Sequence, residues 1–229
     1  MLEAARAHLL IQDADLAAFS DLFPQLLSPQ GGITVDLKLQ PGLKLAGELT
    51  LSHARTRPLG NLGPVRDIEV RMRFADRTLQ LESAEAGVGG AHLSAAGEAD
   101  LRGTDWLRGR LPPFHFSLSG TNVPLSREVA SIVRSDLALD LTKTNGAPPL
   151  ISGTARLRDS YFLSDLGDLV PGKVAAPSRR PPYFSVEDPM LADWRLNVRV
   201  VGPRFLKVLS PLFNGQVSAD LNLQGTLKE

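Results

Sequence analysis

A chain of 229 residues that is 43% hydrophobic has the composition of a globular protein, with room for one large β domain or two small ones. Its 25 Lys and Arg balance its 25 Asp and Glu, and the densest basic spot is only Ser178-Arg179-Arg180, which argues against a nucleic-acid binder. The absence of Cys excludes disulfides, thiolate metal sites and Cys nucleophiles, and no apolar run approaches the roughly 18 residues of a membrane span.

The first residues, Met1 to His8, lack the basic start and apolar stretch of a signal peptide. Arg6 to Gln12 already reads as a strand, so the start reads as mid-domain; the chain stops at Leu223 to Glu229 within a turn signal. Both ends therefore read as cut within a larger parent. Asp13 or Asp15 is placed to cap a helix over Leu16 to Leu27, bent or ended near Pro24.

From there the dominant signal is two-residue alternation, which puts every apolar side chain of a strand on one face. Val35, Leu37 and Leu39 alternate with Asp36 and Lys38, and Leu49 and Leu51 belong to a further strand over 43–52. Ile68, Val70, Met72 and Phe74 alternate with Asp67, Glu69, Arg71 and Arg73. Strands are expected over 77–86, 91–101 and 112–120. Ser126 caps a predicted turn or two of helix through Val133. Leu137, Leu139 and Leu141 then alternate with Asp136, Ala138 and Asp140, and Leu157 lies in a strand over 149–163. Asp165 opens a predicted short helix to Val170, and Pro171 to Pro182 reads as a mobile loop. Beyond it Leu196, Val198 and Val200, then Val217, Ala219, Leu221 and Leu223, alternate in the same way. Similar strands flank the loop, so the expectation is one domain over 1–229. One-sided strands of this kind belong to antiparallel sheets rather than to buried parallel ones.

A loose repeat, Gly-x-apolar-x-Leu, recurs at Gly47 to Leu51, Gly97 to Leu101 and Gly153 to Leu157, with a longer form after Gly215. Its spacing drifts, as in one sheet extended by unequal hairpins rather than a regular solenoid. Gly within a strand marks a bulge or bend, which would let that sheet curl.

Catalytic signals are weak. His8, His53, His92 and His115 have no helical ligand spacing, and His115 reads as a solvated strand residue opposite Phe114 and Phe116. There is no Walker loop, nucleophile elbow or H-E-x-x-H. Gly87-Val88-Gly89-Gly90 is a turn between strands. Asp165 with Asp168, and Glu187 with Asp188, read as a helix cap and a turn rather than an acid–base dyad. The expectation is a non-enzyme without metal or cofactor. What remains is a smooth aliphatic face, dominated by Leu in a chain with only 6% aromatics.

Three stretches carry a family resemblance. They are Gly120-Thr121-Asn122-Val123-Pro124-Leu125-Ser126-Arg127 leading into Val133 to Leu139; Ile151-Ser152-Gly153-Thr154-Ala155-Arg156-Leu157-Arg158-Asp159-Ser160; and Asp193-Trp194-Arg195-Leu196 through Asn214-Gly215-Gln216-Val217-Ser218-Ala219-Asp220-Leu221 to Leu223-Gln224-Gly225-Thr226. Together they resemble the C-terminal region of the bacterial TamB family (translocation and assembly module), more distantly related to AsmA-like proteins. The resemblance is clearest over 110–229. It implies an all-β fold: a long, mainly antiparallel, curled sheet forming an open, taco-like groove, with a few short helices. It also implies a periplasmic segment of a parent anchored in the inner membrane, working with an outer-membrane β-barrel of the Omp85 type in phospholipid transfer or outer-membrane protein assembly.

On that basis the expected groove lining is Val35, Leu37, Leu39, Leu49, Leu51, Ile68, Val70, Met72, Phe74, Leu137, Leu139, Leu141, Leu157, Leu196, Val198, Val200, Val217, Leu221 and Leu223, with lipid acyl chains as the partner. Lys38, Glu48, Arg71, Asp140 and Arg199 would stay wet on the outer face. The competing expectations are a chaperone-like scaffold that offers sheet edges to unfolded strands, and a structural spacer with a closed core.

Overall fold

Alternating segments, some joined by tight turns such as Asp76-Arg77 and Gly89-Gly90, pair in chain order. The computed structural model describes residues 6–18, 30–42, 44–56, 63–103, 110–127, 131–163, 192–210 and 214–227. The strands are β1 (Ala7–Asp15), β2 (Gly32–Gln40), β3 (Lys44–Ala54), β4 (Val65–Ala75), β5 (Thr78–Val88), β6 (Ala91–Asp100), β7 (Phe114–Arg127), β8 (Ser131–Lys143), β9 (Leu150–Leu163), β10 (Arg195–Leu209) and β11 (Asn214–Thr226). They form one eleven-stranded sheet in strict chain order, curled but not closed into a barrel, with β1 and β11 at its edges.

Every neighbouring pair is antiparallel except β9 and β10, which run parallel from Leu150 beside Arg195 to Leu163 beside Leu209. Antiparallel neighbours need only a turn. Gly89 and Gly90, at φ 55° and 85°, supply the left-handed pair of a two-residue hairpin between β5 and β6. The parallel step needs a long connection that returns to the starting end of the sheet.

The helical expectations fare differently from the strands. Of the residues expected to be helical from Ser126 to Val133, Ser126 and Arg127 instead end β7 and Ser131 to Val133 begin β8, with Arg127 paired to Ile132 and Ser126 to Val133, while 128–130 lie outside the described residues. Pairing with two neighbours outweighs a weak local capping signal. After Asp15 the described chain shows a single 3₁₀ turn, Leu16 to Ala18, with Ala17 N–H donating to Asp15 Oδ1 at 2.9 Å. The rest of that predicted helix, the one after Asp165, the Pro171–Pro182 loop and both carboxylate pairs lie outside the described residues.

Two devices shape the sheet. The first is a band of β-bulges, each setting two or more residues against one across the ladder. Six of them place a residue in the left-handed region, Asp67 (φ 50°) and Asp159 (φ 41°) included, and four share one arrangement: Asp13, His53, Asn122 and Arg204, at φ 48°, 50°, 59° and 48°. In each, that residue donates its freed backbone N–H to the side chain of the single opposing residue. The acceptors are Thr34 Oγ1 (3.3 Å), Glu69 Oε1 (2.8 Å), Asp136 Oδ1 (2.9 Å) and Ser218 Oγ (2.8 Å). All four lie in the half of the strand away from the β2–β3 turn. Bulges bend and over-twist a strand, so the band works as a crease across the sheet.

A related irregularity joins β8 to β9. Ser160 Oγ accepts the Arg134 N–H and donates to the Arg158 carbonyl, both at 2.9 Å, with only 2% of the residue exposed. Ser160→Ala leaves that N–H without its partner and is expected to cost about 1–3 kcal/mol in a urea melt.

The second device is the glycine repeat. Gly47 adopts φ 137°, and a Cβ there would sit 1.8 Å from the Asp36 carbonyl oxygen of β2. Gly97 and Gly153 repeat this closeness on β6 and β9. The fourth glycine of this backbone type is Gly225 (φ 138°), ten residues beyond the Gly215 of the sequence repeat.

Candidate functional site

Cross-strand register turns the alternation into a surface. One unbroken row runs Ile11, Val35, Leu49, Met72, Leu81, Gly97, Phe116, Leu141, Ile151, Leu196, Gly225, one residue from each strand. The adjacent row runs Ala14, Ile33, Leu51, Val70, Ala84, Ala95, Leu118, Leu139, Gly153, Val198, Leu223. Neither contains a polar side chain. At ~4.8 Å per strand each crosses about 48 Å.

All nineteen residues expected to line a groove fall on this one face. Leu37 and Phe74 flank Gly47, while Leu39 pairs with Leu45 and Ile68 with Ala54. Leu137 and Val200 flank Ala155, and Leu221 pairs with Val200. Leu157 pairs with Ser135 and Val217 with Leu206. Sequence reasoning named no lining residue on β5, β6 or β7, whose share of the surface is Leu79, Leu81, Ala84, Ala95, Gly97, Ala99, Phe116 and Leu118. Their signal is diluted because small residues stand where leucines mark the other strands.

The face is apolar without being sealed. Val35 (3% exposed) and Val198 (7%) are buried. Leu49, Met72, Leu81, Phe116, Leu139, Leu141 and Leu196 are half-buried, and Leu221 is 45% exposed. In a two-layer sandwich the opposing sheet would bury such residues. Here, among the described residues, extensive strand–strand contact occurs only between sheet neighbours. Seven of the buried apolar residues instead gather in two small clusters, one on β9 and β10 (Ala155, Leu157, Val198, Val200) and one of Val88, Ala91 and Val123.

The other face is polar and laced by cross-strand ion pairs. Arg73 meets Glu48 (3.3 Å) and Glu82 (3.2 Å), Arg199 meets Asp220 (3.2 Å), and Arg158 pairs with Asp136. His8 contacts Asp36 at 2.7 Å and His115 contacts Asp140 at 3.4 Å. Exposed pairs of this kind add little stability but oppose register slips. Lys38, Glu48, Arg71, Asp140 and Arg199 are all exposed there.

Two clefts open at the end of the sheet that carries the β2–β3 turn. One, of about 270 Å³, is lined by Thr78, Glu98, Ala99, Asp100, Arg102, Pro113, Phe114, His115 and Lys143. Within it the Arg102 side chain grips Asp100, with Nε 2.9 Å from both carboxylate oxygens and Nη2 2.6 Å from Oδ2, and the Arg102 backbone N–H adds a bond at 2.9 Å. The side-chain bonds, then the backbone bond, lower the Asp100 carboxyl to about 2. A depressed carboxylate contributes stability that is present above its unfolded value and is lost as pH falls through its folded value. Arg102→Ala should therefore move the Asp100 midpoint up towards 3.8 in an NMR pH titration. The second cleft, of about 530 Å³, is lined by Arg6, Ala7, His8, Lys38, Leu39, Gln40 and Pro41.

Among the described residues no three His, Asp or Glu side chains are grouped to hold a metal, and no helix is long and apolar enough to cross a membrane. The chain matches no family model, no curated protein and no solved structure in the comparisons made.

Proposed function

We propose that the chain is a segment of a periplasmic, envelope-spanning protein whose apolar face binds hydrocarbon and passes phospholipid acyl chains between inner and outer membranes. The observation that carries the reading is the continuous apolar face, which crosses all eleven strands, is half-open along its length and, among the described residues, has no second layer over it. Ordered monomers rarely leave so large a contiguous apolar surface uncovered unless something binds there. Its lining is mainly aliphatic, so each methylene it takes from water gains roughly 0.8 kcal/mol without any directed bond. Similar rows repeat from strand to strand, so a bound chain meets near-equivalent positions as it moves. The bend at the crease lets each strand wrap around such a chain, while the ion-paired outer face stays hydrated.

The resemblance to the TamB family supplies the compartment and the barrel partner in this reading. The test is native purification of the chain followed by lipid extraction and mass spectrometry. Stoichiometric phospholipid is the expected result, and delipidated protein should regain a fluorescent fatty acid. Protein that carries no lipid and binds no fatty acid would overturn the reading.

One observation favours a second role, pairing with unfolded outer-membrane strands. Edge strand β11 is thirteen residues long, holds a single charged residue, Asp220, and contains neither Lys nor Pro. Natural edges usually carry such blocks, so β11 is suited to accept another strand. Capture of an unfolded β-strand peptide at β11, detected by cross-linking, would support this role.

A further inference from the structure

We propose that the cleft between β1 and β2 is an anion site that takes the phosphate of an amphiphile whose acyl chain lies on the adjoining apolar face. This deepens the hydrocarbon-binding reading and rests on it for the acyl chain alone.

The cleft joins two kinds of surface at one end of the sheet. His8 and Lys38 are cross-strand partners, and Ala7 and Leu39 are the next pair along the ladder. Successive pairs point to opposite faces, so at the strand ends a polar pair carrying the Lys38 ammonium meets an apolar pair. Arg6 adds a second permanent cation, and among the described residues no carboxylate lines the cleft. Of the two carboxylates beside Lys38 on the outer face, Asp36 is engaged by His8 Nε2 at 2.7 Å and Glu48 by Arg73 at 3.3 Å. Arg6 and Lys38 thus present donors suited to phosphate, a fork from the guanidinium and a point charge from the ammonium. On the other side Leu39 pairs with Leu45 of β3, and Leu37 and Leu9 form the next apolar pair inward. Leu9 is 52% exposed, so a chain leaving the cleft has open hydrocarbon to lie on.

The cleft at β6–β8 differs in its charge balance. Its Arg102 is already held by Asp100, and Glu98 also lines it, so a phosphate approaching Lys143 would meet two carboxylates.

The test is NMR of the whole 229-residue chain with three probes: glycerol 3-phosphate, dihexanoyl phosphatidylglycerol below its micelle concentration, and octyl glucoside. Glycerol 3-phosphate is expected to shift signals of Arg6, His8 and Lys38. The short-chain phospholipid should shift these together with the Leu37 and Leu39 methyls, and bind more tightly. Arg6→Gln with Lys38→Gln should weaken both phosphate probes roughly tenfold or more while leaving octyl glucoside shifts at Leu139 unchanged.

Unchanged phosphate binding by the double variant, or no shift at Arg6, His8 and Lys38, would overturn the proposal. Equal affinity for glycerol 3-phosphate and the phospholipid would overturn its lipid part and leave a site for free phosphate esters. Octyl glucoside that fails to shift Leu139 would sink the hydrocarbon reading separately, with the anion site intact.

Discussion

Gly47→Ala is expected to lower stability by about 3 kcal/mol or more, seen as a large drop in the urea midpoint with an unchanged slope. Two costs add. An L residue is strained at φ 137°, and its Cβ would lie 1.8 Å from the Asp36 carbonyl oxygen, a backbone atom that cannot swing aside as a side chain can. Gly146→Ala is the matched control. It too has a positive φ, 76°, but its added Cβ would meet nothing within 4 Å, so strain alone should cost about 1–2 kcal/mol. The difference between the two measures how closely β2 and β3 approach at the glycine. Equal losses would mean that closeness is not what the repeated glycines provide.

The second large effect separates an open face from a sealed core by contrasting two residues of that face. Val198→Asp places a carboxylate in the buried β9–β10 cluster, where Val198 is 7% exposed, and should cost several kcal/mol or prevent folding. Leu221→Asp, on the neighbouring strand but 45% exposed, should leave the melting temperature nearly unchanged. Its effect should appear in fatty-acid binding, weakened because a hydrated charge interrupts the apolar row. Were Leu221→Asp to unfold the chain as Val198→Asp does, the face would be sealed in solution and the spacer reading would gain.

Much of the sheet was legible in the sequence because local pattern and tertiary role coincide. β2, β4, β8, β10 and β11 alternate over long spans, and each lies where the alternation puts it, with leucines on one face and charges on the other. The crease was written there as well, in a form that strict period two conceals. Leu51 to Ala54, Val65 to Ile68, Leu81 to Ala84 and Gly120 to Val123 are apolar steps of three, and each spans a bulge. The apolar step of three is the readable sign, and in three of these four steps a polar left-handed residue, His53, Asp67 or Asn122, lies inside it.

Other features depend on distant parts of the chain. Ser126 to Val133 has a capping residue and mixed polarity, so by itself it passes for a short helix; pairing across β7 and β8 makes it a hairpin. The parallel step from β9 to β10 is set by the end of the sheet to which the long connection returns, and no strand's own pattern encodes that. The β1–β2 cleft was equally hidden, because Arg6 and Lys38 lie far apart in sequence and meet only through the register that pairs His8 with Lys38.

The most direct test of the groove is photo-cross-linking in cells, with a probe at Leu139 and a second at Asp140. The two are sequence neighbours on opposite faces: Leu139 pairs with Leu118 and Gly153, Asp140 with Ser117 and Ser152. The account predicts a phospholipid adduct at Leu139 and none at Asp140. Folded, well-expressed protein with no lipid adduct at Leu139 would contradict it.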